Sequence, residues 1–236
     1  MNSYHWEALR RKKPRVFRHA LVWNSAIMPR YQFNLWIMAK GRLPTQALLL
    51  SNGRIDGGSC PFCNEVPDYM DHLFFGCRVT ADIAFFWAAR CNIPWCNRSW
   101  AENLHWATTL LTGKDFYKSI ARFSFGALCH IIWKNMNTIL FRDEPLSVPA
   151  MKNHLSKVVK DKALTFRNVE DSTRNKRLAC NWGCDPIIFS SRYLDPPTRG
   201  FLSAWWLFSL CLSLKVVAAS AGVSFPHACS LCACCI

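Results

Sequence analysis

Apolar residues recur at helical spacing along most of the first 170 positions, and no long stretch alternates apolar and polar as a half-buried strand does. Leu21, Val22, Trp23 and Ile27 form one short apolar face. Pro29 marks a new helix start, continued by Phe33, Trp36, Ile37 and Lys40. Gly41 ends that helix, and Pro44–Thr45 opens the next, with Gln46 to Leu50 inside it. The run SNGRIDGGS at 51–59 is a turn-rich connector. Beyond it the pattern predicts a helix over 78–93, with Ile83, Phe86, Trp87 and Arg90 on one face, then a loop at Pro94–Arg98. A long helix follows over 115–142, with Ile120, Phe123, Ala127, Ile131, Ile132 and Ile139 at its apolar positions. A basic amphipathic helix over 149–170 carries Met151, Leu155, Val158, Val159 and Leu164. The expected class is mainly α.

The chain's end differs in character. Phe201 to Leu214 is uncharged and apolar, Lys215 interrupts, and Val216 to Val223 continues. Residues 201–223 together are just long enough to span a bilayer, although Lys215 near the middle opposes insertion. The terminal run CSLCACCI holds Cys229, Cys232, Cys234 and Cys235, and it is not a prenylation box because position 233 is Ala. Palmitoylation, adventitious metal binding and a tail translated from unrelated sequence all remain open. The composition breaks at Pro196–Pro197, which favours the last.

Composition adds charge and sulfur to this picture. The chain has 236 residues, half of them hydrophobic and 14% aromatic, so a sizeable core is available and wholesale disorder is not expected. Lysine and arginine outnumber aspartate and glutamate 29 to 15, which suits a polyanionic partner, RNA or DNA, or an anionic membrane surface. Much of the excess lies in residues 1–18, where Arg10, Arg11, Lys12, Lys13, Arg15 and Arg18 face a single acid, Glu7. A solvated terminus and a basic arm or nuclear localisation signal both fit that run. Arg30, Lys40, Arg42 and Arg78 extend the basic set into the helical region. The first twenty residues have no apolar core and no small-residue cleavage site, so an intracellular protein, nuclear or cytoplasmic and not secreted, is expected. In a reducing compartment grouped cysteines point to metal before disulfides, and the odd count of 13 rules out complete intrachain pairing.

The cysteines group most tightly in Cys60-Pro61-Phe62-Cys63, then eight residues, His72, four residues and Cys77. Zinc takes four thiolate or imidazole ligands in a tetrahedron, and a C-x2-C turn brings two sulfurs to one ion. His72 and Cys77 lie about one helical turn apart, which predicts the second ligand pair on one face. Asp68 and Asp71 are candidate acceptors for the His72 ring N–H. Four protein ligands leave no position for water or substrate, so the expected cofactor is one structural Zn2+. The bland alternative is two buried thiols and a surface histidine. Cys91, Cys96, Cys129, Cys180 and Cys184 are ordinary core or surface thiols on this view.

A family resemblance joins these pieces. Ala20–Leu21–Val22–Trp23, Met28–Pro29–Arg30, Phe33–Asn34–Leu35–Trp36, Arg42–Leu43–Pro44–Thr45, Cys60–Pro61–Phe62–Cys63 and His72–Leu73–Phe74–Phe75–Gly76–Cys77 resemble, in order and spacing, the zinc-binding domain of plant reverse transcriptases. In LINE-type (non-LTR) retrotransposon polyproteins that domain follows the polymerase. Trp133-Lys134-Asn135-Met136-Asn137 with Phe141 is similar to a tryptophan–arginine–asparagine element downstream in such polyproteins, departing from it at Met136. Arg177 to Phe189, with Trp182–Gly183, resembles their customary end. The resemblance implies a basic arm at 1–16, the zinc domain at 17–100, a helical polyprotein region at 101–190 and an unrelated apolar, Cys-rich tail at 191–236. The fold it implies is a small helical domain with a Cys-Cys-His-Cys zinc hairpin, followed by further amphipathic helices and that tail. The chain shows no polymerase aspartate pair and no endonuclease carboxylate–histidine set, so a truncated open reading frame or a retained domain is expected, and not an enzyme.

Three functions compete at this point. The first is an accessory domain binding RNA or DNA largely independently of sequence, with the basic residues on phosphates and Phe62, Phe74 and Phe75 either stacking on bases or packing around the metal. The second is a protein-interaction scaffold held by zinc. The third is a tail-anchored membrane protein using 201–223. A thiol-protease pair of His72 and Cys63 ranks last, since both residues are better explained as ligands.

Overall fold

A computed structural model of the chain describes Val16 and residues 18–96, 98–142 and 144–190. Eight α-helices are described: α1 His19–Val22, α2 Pro29–Ala39, α3 Gln46–Ser51, α4 Arg78–Arg90, α5 Trp100–Leu110, α6 Phe116–Arg142, α7 Val148–Ala163 and α8 Thr173–Trp182. A π-helical turn at His72–Gly76 precedes α4, and a 3-10 turn at Pro186–Phe189 follows α8. There is no strand among the described residues. The class is mainly helical, as the spacing predicts.

Local chemistry accounts for the helix ends. Pro29 occupies the first turn of α2, where its missing N–H costs nothing. The Thr45 side chain accepts from Leu48 N–H at the start of α3, and Ser147 and Ser172 do the same for α7 and α8. Ser99 and Glu102 form a reciprocal capping box on α5. At the other ends, Asn92 and Gly183 take the left-handed conformation just past α4 and α8, which halts each helix. Two predicted helices are therefore shorter than the apolar pattern suggests. The one expected over 78–93 stops at Arg90, before Asn92, and the one expected over 149–170 stops at Ala163. Beyond α7 the chain turns, with Asn168 left-handed and Phe166 set edge-on against Phe116 at 5.2 Å.

The organising element is α6. Its 27 residues make a rod about 40 Å long, and from Ser119 to Cys129 every residue is buried. A helix buried on all sides must be wrapped by others, and α2, α4, α7 and α8 pack around it. Gly126 marks the close approach of α2, where a Cβ would stand 3.3 Å from Leu35 and 3.5 Å from both Ile27 and Tyr31. From α4, Trp87 is fully buried and donates its indole N–H to Ser124 Oγ at 2.8 Å. Tyr117 donates to the Cys91 carbonyl at 2.8 Å. Arg90 and Asn181 exchange hydrogen bonds with each other's backbone carbonyls, pinning α8 to the end of α4. One hydrophobic core runs from Leu21 to Ile188.

A charged group sits inside that core. Arg122 is almost wholly buried, and its guanidinium donates to the Leu111 carbonyl at 2.7 Å and the Gly113 carbonyl at 3.0 Å. These carbonyls lie just past the end of α5, where backbone acceptors lack helical partners. Replacing Arg122 with Met keeps the bulk but leaves both acceptors unpaired, so Arg122→Met is expected to lower the unfolding free energy by about 2–4 kcal/mol. Urea denaturation measures this, and a loss below about 1 kcal/mol would show that solvent satisfies the carbonyls.

Candidate metal centre

The ligand pairs sit on two unlike supports. Cys60 and Cys63 flank a tight turn in which Asn64, left-handed, donates its N–H to the Cys60 carbonyl at 2.7 Å. Asparagine tolerates that conformation better than most residues. Cys60 N–H in turn donates to the Val66 carbonyl at 2.7 Å, closing the loop. Cys77 is the residue before α4, so its sulfur lies at a helix N-terminus, where the amides of Val79 and Thr80 are directed to it. His72 opens the π turn. The spacing predicts an ordinary helical turn between His72 and Cys77; the structure has the wider π turn, closed by Cys77 N–H donating to the His72 carbonyl at 2.6 Å. Leu73, Phe74 and Phe75, between the two ligands, point into the core, while His72 and Cys77 both reach the metal cluster.

The four ligand atoms converge within 4.8 Å of one another. Cys60 Sγ and Cys77 Sγ are 3.9 Å apart, and Cys63 Sγ is 3.3 Å from His72 Nε2. A zinc tetrahedron has sulfur–sulfur edges of about 3.8 Å and sulfur–nitrogen edges of about 3.5 Å. The donor set and its dimensions fit zinc. Cys60, Cys63 and Cys77 are buried and His72 is half-buried, and none of these cysteines is in a disulfide. The hydrogen bond from Cys60, joined by the amides at the start of α4, lowers the Cys77 thiol to about 5. Cys60 is pushed up, first by that shared hydrogen bond and then by burial. The pair thus holds one sulfur as a thiolate poised for a cation. A bound zinc ion supplies a four-coordinate cross-link here, with every position taken by protein.

The two carboxylates expected beside His72 have other duties. Asp68 is fully buried and accepts from Gln46 N–H at 3.0 Å and Ala47 N–H at 2.6 Å, capping α3. Asp71 accepts from Trp100 N–H and caps α5. Each therefore ties the metal loop to a helix start, where a negative charge is favoured. Phe62, Phe74 and Phe75 are buried, which leaves packing as their role and removes them as base-stacking candidates. Phe75 stacks at 6.1 Å on Trp100 and 6.5 Å on Phe125, so the aromatic layer below the metal reaches α6 directly.

Among the basic candidates, Arg30, Lys40, Arg42 and Arg78 are exposed. Arg30 lies in the first turn of α2, with Lys40 and Arg42 beyond its far end, so the α2 set is split. Arg78 adjoins Cys77 and pairs with Glu65 at 3.3 Å. Arg18 is half-buried, and Arg10, Arg11, Lys12, Lys13 and Arg15 lie outside the described residues. Of the remaining cysteines, Cys91 and Cys129 are buried core thiols pushed up by burial, Cys96 and Cys180 are exposed, and Cys184 is half-buried. The residues 201–223 and the terminal cysteines also lie outside the described residues.

The full-length protein prepared in zinc is expected to lose one equivalent of metal when either His72 or Cys77 becomes alanine. Its thermal midpoint should fall by about 10 °C or more, because structural zinc contributes several kcal/mol to folding. Equal metal content in the wild type and both variants, read by atomic emission, would disprove the site.

No curated protein and no solved structure matches the chain. Residues 2–87 match the family described as zinc-binding in reverse transcriptase. Since that span contains Cys60, Cys63, His72 and Cys77, already converged on one tetrahedral point, residues 2–87 are a zinc-binding domain of the reverse-transcriptase type.

Proposed function

We propose that the chain is a non-catalytic accessory module that binds RNA or DNA, derived from the polyprotein of a plant LINE-type (non-LTR) retrotransposon. The observation that carries this reading is the chain's formal net charge of +14 beside a zinc-binding domain of the reverse-transcriptase type. Exposed Arg30, Lys40, Arg42 and Arg78 supply phosphate contacts on the described surface, and the basic residues at 10–18 add an arm. Contacts of that kind position a nucleic acid and carry no sequence information. A non-catalytic role is supported by the donor set, which closes the metal's coordination with four protein ligands. The plant and LINE assignments rest on the resemblance of residues 17–100 and of Trp133 to Phe141. Four segments are proposed: an arm at 1–16, the zinc domain at 17–100, helices at 101–190 and a tail at 191–236; the family match over residues 2–87 falls in the first two. A nuclear or cytoplasmic location is proposed with this reading, on the charged and polar character of the first twenty residues.

A second reading, a protein-interaction scaffold, is favoured by one observation. Trp23, Phe33 and Trp36 are exposed and clustered, with ring centroids 6.0 and 6.5 Å apart around Trp36. Zinc retention without any affinity for RNA or DNA would select it. The membrane reading rests wholly on 201–223; among the described residues no helix is long and apolar enough to cross a bilayer.

Binding of single-stranded RNA should weaken steeply with salt. Four phosphate contacts alone predict a log–log slope of about −3, and the arm makes it steeper. Titration by fluorescence anisotropy at several salt concentrations measures the slope, and a flat response would sink the phosphate-contact reading.

A further inference from the structure

The last three turns of α6 are unlike its buried middle. Trp133, Asn137 and Phe141 recur every fourth residue and form one ridge, and Lys134, Thr138 and Arg142 form the ridge beside it. Together with Asn34 from α2 and His130, they line an open groove of about 470 Å³. Trp133 is half-buried at the inner end, whereas Phe141 is 78% exposed at the outer end, the most exposed large apolar side chain among the described residues. The two rings lie about 12 Å apart along the helix axis. A phenyl ring held this far into water by a rigid helix gains nothing for the fold.

Every charged side chain lining this groove is a cation, Lys134 or Arg142. Among the described residues Arg142 meets the Glu144 carboxylate at 4.0 Å with both side chains more than half exposed, a pair that solvent screens heavily. Cations from other helices reinforce the field. Burial, then the charges of Arg30, Lys134 and His154, push the His130 imidazole down to about 4. Lys134, Arg30 and Lys157 act on His154 in the same sense. α2, α6 and α7 thus turn basic groups toward one region. His130 is held as a neutral ring, its Nδ1 2.8 Å from Asn34 Nδ2. Asn137 donates its amide N–H to the Trp133 carbonyl at 2.9 Å, which leaves its side-chain oxygen free to accept.

We propose that this groove binds single-stranded nucleic acid, with unpaired bases stacked on Trp133 and Phe141 and the backbone phosphates on Lys134 and Arg142. The proposal rests on the nucleic-acid reading above and assigns it a site whose stacking rings and cations lie outside the zinc domain. Alternating aromatic faces and cations are what a single strand requires, because each nucleotide offers one π face and one negative charge. An acidic peptide matches the cations but leaves the ring faces unused. Duplex bases are already stacked on one another and cannot reach the rings, so the groove discriminates by strandedness and not by sequence.

The full-length, zinc-loaded protein is titrated into a fluorescein-labelled mixed-sequence RNA and, separately, into its perfect duplex. Phe141→Ala should weaken single-strand binding about tenfold while duplex binding changes less than about twofold. Phe141→Tyr should restore the single-strand affinity. Because Phe141 is exposed, the alanine variant should keep the wild-type circular dichroism and zinc content. Lys134→Ala should weaken both probes and flatten the salt response. Tight, salt-sensitive binding that Phe141→Ala leaves untouched, or weakens equally for both probes, overturns the groove while sparing the broader reading. Binding of neither probe by the wild type overturns both. Displacement of the RNA by polyglutamate as effectively as by unlabelled RNA of equal charge makes the groove an acidic-peptide site and overturns the proposal.

Discussion

Four ligands from two chain segments must meet at the corners of one tetrahedron, and much of the local architecture follows from that demand. A C-x2-C turn delivers two sulfurs cheaply, but the opposing pair has to be delivered by a helix start. The π turn between His72 and Cys77 brings both ligands to the metal cluster while Leu73, Phe74 and Phe75 are buried in the core. Cys77 then caps α4 with its sulfur at the amides. Removing the metal therefore frees the turn that anchors the aromatic layer, which is why metal loss and fold loss are expected together.

That aromatic layer ends on α6, outside the residues that match the family. Phe75 meets Phe125, Trp87 meets Ser124, and α2 closes on Gly126. The matched span 2–87 thus shares its core with a helix that begins at Phe116. Asp68 and Asp71 extend the same connection by spending their charge on the starts of α3 and α5. Metal loop, capping carboxylates and central helix form one mechanically continuous unit, and the groove proposed for nucleic acid is carved from the far end of that same helix.

The distribution of charge gives this unit its direction. Among the described residues the one buried cation is Arg122, which serves two backbone carbonyls. Other described basic groups lie on surfaces, at both ends of α2, beside the metal at Arg78, and where α2, α6 and α7 converge on His130. Phosphate contacts need only exposed cations. Base contacts need ring faces beside cations; Trp133 and Phe141 line the groove with Lys134 and Arg142, whereas Phe62, Phe74 and Phe75 at the metal are buried.

The sequence by itself determined the helical class, the long helix at 115–142 and the metal ligands, because each depends on short-range spacing: 3.6-residue periodicity in one case, C-x2-C and His-x4-Cys in the other. Helices α5 and α8 escaped the periodicity although their caps, Ser99 with Glu102 and Ser172 with Gly183, were legible. Only the tertiary structure decided the roles of residues whose partners are distant in sequence. Asp68 and Asp71 look like neighbours for His72 until α3 and α5 are placed against them. Phe62, Phe74 and Phe75 look available for stacking until the packed core buries them, with Phe74 and Phe75 against Trp100 and Phe75 against Phe125. Burial is a property of the packed neighbours and not of the residue, so no local pattern could assign these side chains to core, cap or surface.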